Sequence, residues 1–149
     1  MSYTYDPTAP LVILVDDTRS DIEINTISLE RIDPDLQILS FSGGKAALEF
    51  LEENKDREWG ASLMLLDLKM PVMNGFEVLE NIMDKQLKRF PIVVMSSSGL
   101  PEDSSRSRQL GADGFSEKPI SLKDNLTVFK SILEGYLYPQ MERAGCQAG

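Results

Sequence analysis

Side chains that could bind a metal ion and a phosphoryl group recur directly after short apolar runs. They are Asp16 and Asp17 after residues 11–15, Asp67 after 62–66 and Ser96 after 91–95. Lys118 likewise follows 113–117, which is a weaker, mostly polar candidate for a fifth strand. Like charges about 4 Å apart repel by roughly 4 kcal/mol at an effective dielectric of about 20, so three converging carboxylates need a cation or raised pKa values. Oxygen ligands suit a hard divalent cation such as Mg²⁺, and a lysine and a hydroxyl complete a phosphoryl site.

Each of these features also has an ordinary structural explanation when it stands alone. An acidic pair after a strand commonly caps a helix or lies in a solvated loop, Lys-Pro is commonly a turn, and three serines commonly form a loop. Such features at the ends of four of the five predicted strands favour one shared site.

The apolar runs predict the strands that position this site. The runs at 11–15, 36–41, 62–66 and 91–95 are continuous rather than alternating, which is typical of parallel strands buried on both faces. Helices are predicted after Asp17, over 44–55, 75–87 and 101–110, and from Leu122 to a stop at Pro139. This alternation predicts a (βα)₅ α/β fold with a doubly wound, five-stranded parallel sheet, whose ligands bind beyond the carboxyl ends of the strands.

Three helical segments carry specific expectations. Thr18 and Asp21 form a candidate capping box at the start of the first helix. The fourth helix is almost wholly polar, so it should pack loosely. The final helical segment, over 132–141, has more apolar residues than one packing face needs, which leaves some of them available for a dimer or partner contact.

Composition excludes several function classes. The 149 residues suit one domain, and a net charge of −9 without a basic run argues against nucleic-acid binding. No apolar run approaches the ~18 residues of a membrane span. A single cysteine, Cys146, suits a reducing compartment and hence the cytoplasm. The absence of histidine removes Ser–His triads and histidine phosphorelay from consideration.

Four stretches together resemble the bacterial response-regulator receiver domain of two-component systems. They are VDD at 15–17, LLDLKMPVMNG at 65–75, VVMSSSG at 93–99 and GADGFSEKP at 111–119. The resemblance covers residues 10–138, which leaves 1–9 as an N-terminal extension and 139–149 as a C-terminal tail. It implies a flavodoxin-like sheet with the strand order 2-1-3-4-5.

The resemblance also implies a separate role for each acidic residue. Asp67 would be the phosphoacceptor, and Asp17 would bind Mg²⁺ (or Mn²⁺) directly, with Asp16 acting largely through water. The backbone carbonyl of Lys69 would complete the protein ligands.

Further roles follow from the same resemblance for residues around the acceptor. Lys118 would pair with a phosphoryl oxygen, Ser96 would hydrogen-bond the phosphoryl group, and Phe115 would occupy the aromatic switch position. The Lys118–Pro119 bond would be cis, in keeping with the rule that cis bonds are a proline feature.

Two other positions should affect how long the phosphoryl group persists. Lys69 is two residues beyond the acceptor and Ser98 is two beyond the switch hydroxyl, so both are expected to tune dephosphorylation. Trp59, by contrast, lies before the third strand, and its fluorescence should report poorly on the site.

The implied partners are proteins. A sensor histidine kinase or a histidine phosphotransfer protein would supply the phosphoryl group, and a downstream target would bind the surface of the fourth helix, fifth strand and fifth helix. About thirty residues follow Lys118, too few for a DNA-binding output domain. The signal would therefore pass by protein–protein contact, with a homodimer as one form of it.

Three alternatives remain at this stage. A pseudo-receiver would fold alike without being phosphorylated. A phosphohydrolase of the haloacid-dehalogenase type would need a second acid two residues after the nucleophile, where this chain has Lys69. A nucleotide-binding module would need a glycine-rich loop after the first strand, and residues 16–21 contain no glycine.

Overall fold

The computed structural model describes residue 6 and residues 8–142 of the chain. Strands and helices alternate along it: β1 (Leu11–Val15), α1 (Arg19–Ile32), β2 (Gln37–Phe41), α2 (Gly44–Glu53), β3 (Ser62–Asp67), α3 (Gly75–Asp84), β4 (Ile92–Ser96), α4 (Pro101–Gln109), β5 (Gly114–Glu117) and α5 (Leu122–Ile132). The predicted elements are confirmed, and most of their boundaries move by one to three residues. No described helix is long and apolar enough to cross a membrane.

The five strands form one parallel sheet in the order β2-β1-β3-β4-β5. This confirms the flavodoxin-like α/β prediction. The strand order reverses at β1, whose neighbour on one side is β2 and on the other β3. Val15 at the end of β1 pairs with Leu66, so Asp16 and Asp67 follow at the same level of the sheet.

The alternation of side chains along β1 divides the core between the two faces of the sheet. Leu11, Ile13 and Val15 pack with α2 and α3, and we call this the α2/α3 face. Val12 and Leu14 pack with α1 and α5 on the opposite α1/α5 face. Both faces are covered by helices, which explains why the strand sequences are continuously apolar.

The same alternation decides which face each site residue continues. Leu14 and Leu65 both belong to the α1/α5 face. Asp16 and Asp67 each lie two residues further along their strands, and Lys118 continues that face from β5. The carboxylates and the lysine are therefore directed toward the side of the sheet that α1 covers.

The start of α1 differs from the predicted capping box. Thr18 is the N-cap residue, but its side chain makes no capping hydrogen bond. Instead, the backbone N–H of Thr18 donates to Asp16 Oδ1 at 2.9 Å. Asp21 does not close a capping box, because its carboxylate is engaged by Lys118.

The C-terminal helix continues past Pro139, contrary to the expected stop. A π-helical segment, Leu133–Leu137, follows α5 directly, and helical structure then extends through Glu142. The widened π-helical turn lies just before the proline, where a regular helix would be broken by the missing N–H donor. Cys146 lies outside the described residues.

Most apolar residues of this final segment are used within the domain itself. Leu133 and Leu137 are fully buried, and the Tyr138 hydroxyl donates to Asp33 Oδ2 at 3.0 Å. Met141 is 39% exposed. The surplus of apolar side chains that suggested a dimer is thus largely taken up by the core.

α4 packs as loosely as its composition predicts. Among its residues only Ser107 is buried, and Leu100 at its N-cap is half exposed. The Arg106 guanidinium lies 4.1 Å from the centre of the Phe76 ring, which connects α4 to α3 by a cation–π contact.

Candidate functional site

Three carboxylates converge at the carboxyl edge of the sheet. One oxygen each from Asp16, Asp17 and Asp67 lies within 4.8 Å of the others. Asp16 and Asp67 are buried, whereas Asp17 is exposed at the mouth of the crevice. An all-oxygen donor set of this size, with one open side, fits a hard divalent cation that keeps some of its waters.

The ammonium group of Lys118 reaches into the same crevice. Its Nζ lies 3.0 Å from Asp16 Oδ2, 3.0 Å from Asp21 Oδ2 and 3.3 Å from Asp67 Oδ1. The backbone N–H of Lys118 donates to the carbonyl of Ser96 at 2.7 Å, which anchors the end of β5 to β4. One lysine therefore contacts three carboxylates, and its single positive charge offsets only one of their negative charges.

The protonation of the site follows from burial and charge together. Burial raises the pKa of the Asp67 carboxyl from 3.8 to about 6; the charge of Lys118 lowers it, and the charge of Asp16 adds to the rise. Burial lowers the pKa of Lys118. Its hydrogen bonds to Asp16 and Asp21 and the charge of Asp67 outweigh this effect and hold the pKa above the usual range. Near pH 7 the Asp67 carboxyl is mostly ionised and faces the Lys118 ammonium.

Ser96 ends β4 and is completely buried. Its hydroxyl lies 3.4 Å from the Ser98 hydroxyl and accepts a hydrogen bond from the Ser98 backbone N–H at 3.3 Å. Val94 belongs to the α2/α3 face, and Ser96 continues that face two residues later. The Ser96 side chain thus lies on the face opposite to that of the Asp16 and Asp67 side chains.

The loop after β3 and the start of α3 lie close to Asp67. The backbone N–H of Lys69 donates to Asp67 Oδ1 at 3.4 Å. Gly75 begins α3, and a Cβ at this position would stand 2.6 Å from the Asp67 carbonyl oxygen and 2.8 Å from Leu68 Cα. Only glycine allows α3 to start so near the end of β3.

Two residues beyond the acidic cluster were singled out by the resemblance. Phe115 is half-buried and packs against the core of the α2/α3 face. The expected cis bond before Pro119 is absent, because the described residues contain no cis peptide bond. The trans form is the intrinsically favoured one for X–Pro bonds, by about 0.5–1 kcal/mol, and Lys118 reaches the carboxylates from it.

Asp21 is the site residue that the sequence analysis missed. It was interpreted only as part of a capping box, yet its carboxylate contacts Lys118 as closely as Asp16 does. The available signal was an acidic residue in the first turn of α1, four positions after Asp17. Charge in a first helical turn usually complements the helix dipole, which made that signal ambiguous.

Known proteins share both the sequence pattern and the geometry. The family model of the response regulator receiver domain matches residues 12–130. The two-component response regulator ORR11 of Oryza sativa subsp. indica is 32% identical over 125 residues, which cover 83% of this chain and 81% of the relative.

Two solved structures superpose over most of the chain. The Mn²⁺-bound form of response regulator Rcp1 has a TM-score of 0.70 and 30% identity, and covers 83% of this chain and 91% of its own. The phosphorylated cyanobacterial phytochrome response regulator RcpA has a TM-score of 0.73 and 28% identity, with coverage of 85% and 92%. The chain therefore belongs to the response regulator receiver domain family.

Proposed function

We propose that the protein is a phosphoacceptor signalling domain in which Asp67 takes up a phosphoryl group in a Mg²⁺- or Mn²⁺-dependent reaction. Receiver domains of this family bind these metals at an acidic pocket and interact with histidine kinases and targets. The observation that carries the proposal is the convergence of Asp16, Asp17, Asp67 and Lys118 on one crevice.

The donor set supports the metal-binding part of the proposal. Asp17 and Asp67 would hold the ion through carboxylate oxygens, Asp16 largely through water, and Lys69 through its backbone carbonyl. When bound, Mg²⁺ supplies a positive charge that offsets the negative charge of the incoming phosphoryl group.

The protein's own residues account for the transfer step. An Asp67 carboxylate oxygen attacks phosphorus and forms an O–P bond, while the bond from phosphorus to the donor nitrogen breaks and its electron pair leaves with the donor. Lys118 would pair with a phosphoryl oxygen, because its Nζ lies 3.3 Å from Asp67 Oδ1. A sensor histidine kinase or a histidine phosphotransfer protein is the proposed donor.

The readout would begin at Ser96. Its buried hydroxyl would turn from Ser98 toward the phosphoryl group, and the loosely packed α4 and Phe115 would then move together. The surface formed by α4, β5 and α5 would bind the downstream target. The same surface could form a homodimer, which size-exclusion chromatography of the phosphorylated and unphosphorylated protein would detect.

Lys69 and Ser98 would set the lifetime of the phosphorylated state. Lys69 lies in the loop after β3, where its backbone N–H donates to Asp67 Oδ1, and its exposed ammonium would reach the phosphoryl group. The Ser98 hydroxyl lies 3.4 Å from that of Ser96. Lys69→Ala should therefore change the half-life of the phosphorylated protein, and an unchanged half-life would exclude Lys69 from this role.

The organisation and location of the chain belong to the same proposal. We divide it into an extension at 1–9, a receiver domain at 10–138 and a tail at 139–149, although helical structure extends into the tail as far as Glu142. The single cysteine, Cys146, supports a cytoplasmic location.

Labelling with phosphoramidate in the presence of Mg²⁺ tests the central claim. Intact mass should rise by one phosphoryl group in the wild type and remain unchanged in Asp67→Asn or in excess chelator. Failure of the folded wild type to take up label would favour a pseudo-receiver. Label retained by Asp67→Asn would show that another residue is the acceptor.

A further inference from the structure

Lys118 is shared among three carboxylates, and one of them comes from a helix rather than a strand end. Asp16 and Asp67 lie at the sheet edge, whereas Asp21 lies in the first turn of α1. The contacts from Nζ to Asp16 and Asp21 measure 3.0 Å, and the contact to Asp67, the proposed acceptor, is the longest at 3.3 Å. Nζ donates hydrogen bonds to Asp16 and Asp21, while its contact with Asp67 is an ion pair.

The packing of α1 holds Asp21 in this place. Asn25 and Ser28 follow Asp21 on the same side of the helix, at spacings of four and seven residues. The Asn125 amide of α5 donates to both Asn25 Oδ1 and Ser28 Oγ at 3.3 Å. Asp21 thus extends the side of α1 that is fastened to α5 and faces the end of β5.

Of the three contacts, the one with Asp21 is the easiest to give up. The Asp21 side chain is 42% exposed, while those of Asp16 and Asp67 are 6% and 5% exposed. A half-exposed carboxylate regains water when its partner leaves, whereas a buried one would remain unpaired. When Asp67 is phosphorylated, the Lys118 N–H that had donated to Asp21 would therefore donate to a phosphoryl oxygen instead.

We propose that Asp21 is a positioning residue that holds the Lys118 ammonium toward α1 and thereby slows phosphorylation of Asp67. This inference rests on the proposed function, since it concerns how that acceptor site is restrained. Breaking a partly exposed ion pair corresponds to a change of about 2- to 5-fold in rate.

Phosphoramidate provides the test, because its transfer needs no partner protein. The Asp67 oxygen forms a bond to phosphorus, the P–N bond breaks, and the nitrogen takes the electron pair and a proton to leave as ammonia. At saturating donor and Mg²⁺, Asp21→Asn should be phosphorylated about 2- to 5-fold faster than the wild type. Asp21→Glu, which keeps a carboxylate on α1, should restore a slower rate.

A matched control separates the contact from simple loss of charge. Glu23→Gln removes one negative charge two residues away on the same helix, from a side chain that pairs with Arg19 at 3.2 Å instead of with Lys118. Its maximal rate should equal that of the wild type.

The outcomes that overturn the inference differ from those that overturn the function. An Asp21→Asn rate equal to or below the wild-type rate would refute the positioning role. A rate increase seen only below saturating phosphoramidate would also refute it, because Asp21 would then act only by repelling the anionic donor. A wild type that takes up no phosphoryl group at all would refute the proposed function, and the inference with it.

Discussion

Replacing Asp67, the proposed phosphoacceptor, by Asn should make the metal-free protein more stable at neutral pH. The Asp67 carboxyl is buried at 5% exposure, and burial raises its pKa from 3.8 to about 6. Keeping this group ionised at pH 7 therefore costs folding free energy. An amide of the same shape carries no charge and avoids that cost.

The size and sign of the effect follow from proton linkage. Between about pH 4 and pH 6 the folded protein holds a proton on Asp67 that the unfolded chain has already lost, so the unfolding free energy falls as the pH rises through this range. A rise of roughly two pKa units corresponds to about 3 kcal/mol at most. Because the crevice opens to water, we expect Asp67→Asn to be about 1–2 kcal/mol more stable than the wild type at pH 7.

Urea unfolding in chelator, followed by far-UV circular dichroism from pH 4 to pH 7, measures this difference. The gain should be present at pH 7 and should shrink toward zero as the pH falls below about 4. The exposed Asp35→Asn, in the turn before β2, controls for the loss of one carboxylate and should show little change. A variant no more stable than the wild type at pH 7, or a gain that does not depend on pH, would refute the reasoning.

Magnesium should reverse the comparison. A ligand that binds only the folded state stabilises it by about 2.7 kcal/mol at one hundred times its dissociation constant. The wild type should gain this stability on addition of Mg²⁺, and Asp67→Asn should gain less because it lacks one carboxylate ligand. Equal gains would mean that Asp67 is not part of the metal site.

Three further predictions concern the frame around the site. Gly75→Ala should lower the unfolding free energy by about 2 kcal/mol or more and impair phosphorylation, because its Cβ would meet backbone atoms at 2.6 Å and 2.8 Å. Gly43→Ala, whose Cβ would have nothing within 4 Å, should cost less than about 1 kcal/mol, since only the N-cap preference of α2 is affected. Equal urea midpoints for the two variants would contradict this. Tyr138→Phe loses the hydrogen bond to Asp33 and should cost about 1 kcal/mol in urea unfolding, and no loss would mean that this contact does not stabilise the C-terminal helix. Trp59 packs against the rings of Phe50 and Phe90 beyond the start of β3, roughly 20 Å from Asp67 at the other end of that strand. Its fluorescence emission should therefore stay constant on Mg²⁺ binding. A large change in emission would show that the core rearranges.

The sequence alone predicted the strands, the parallel sheet and the clustering of Asp16, Asp17, Asp67 and Lys118. Continuously apolar runs are typical of strands covered on both faces, and parallel strands carry the residues that follow them to one common edge. These features depend on local pattern and on topology, and both can be read from residue spacing. β5, observed at Gly114–Glu117, was the weakest strand prediction because Phe115 is the only large apolar residue of its segment.

Tertiary structure decided the features that depend on contacts between distant residues. Asp21 and Lys118 are 97 positions apart, and their contact exists because the packing of α1 on α5 places the first turn of the helix over the end of β5. The continuation of the last helix past Pro139 likewise depends on the π-helical turn and on contacts such as that of Gln140 with the backbone of Ser62. Residue patterns specify which side chains face a common edge, but the partner that each charge selects there depends on how the helices pack against the sheet.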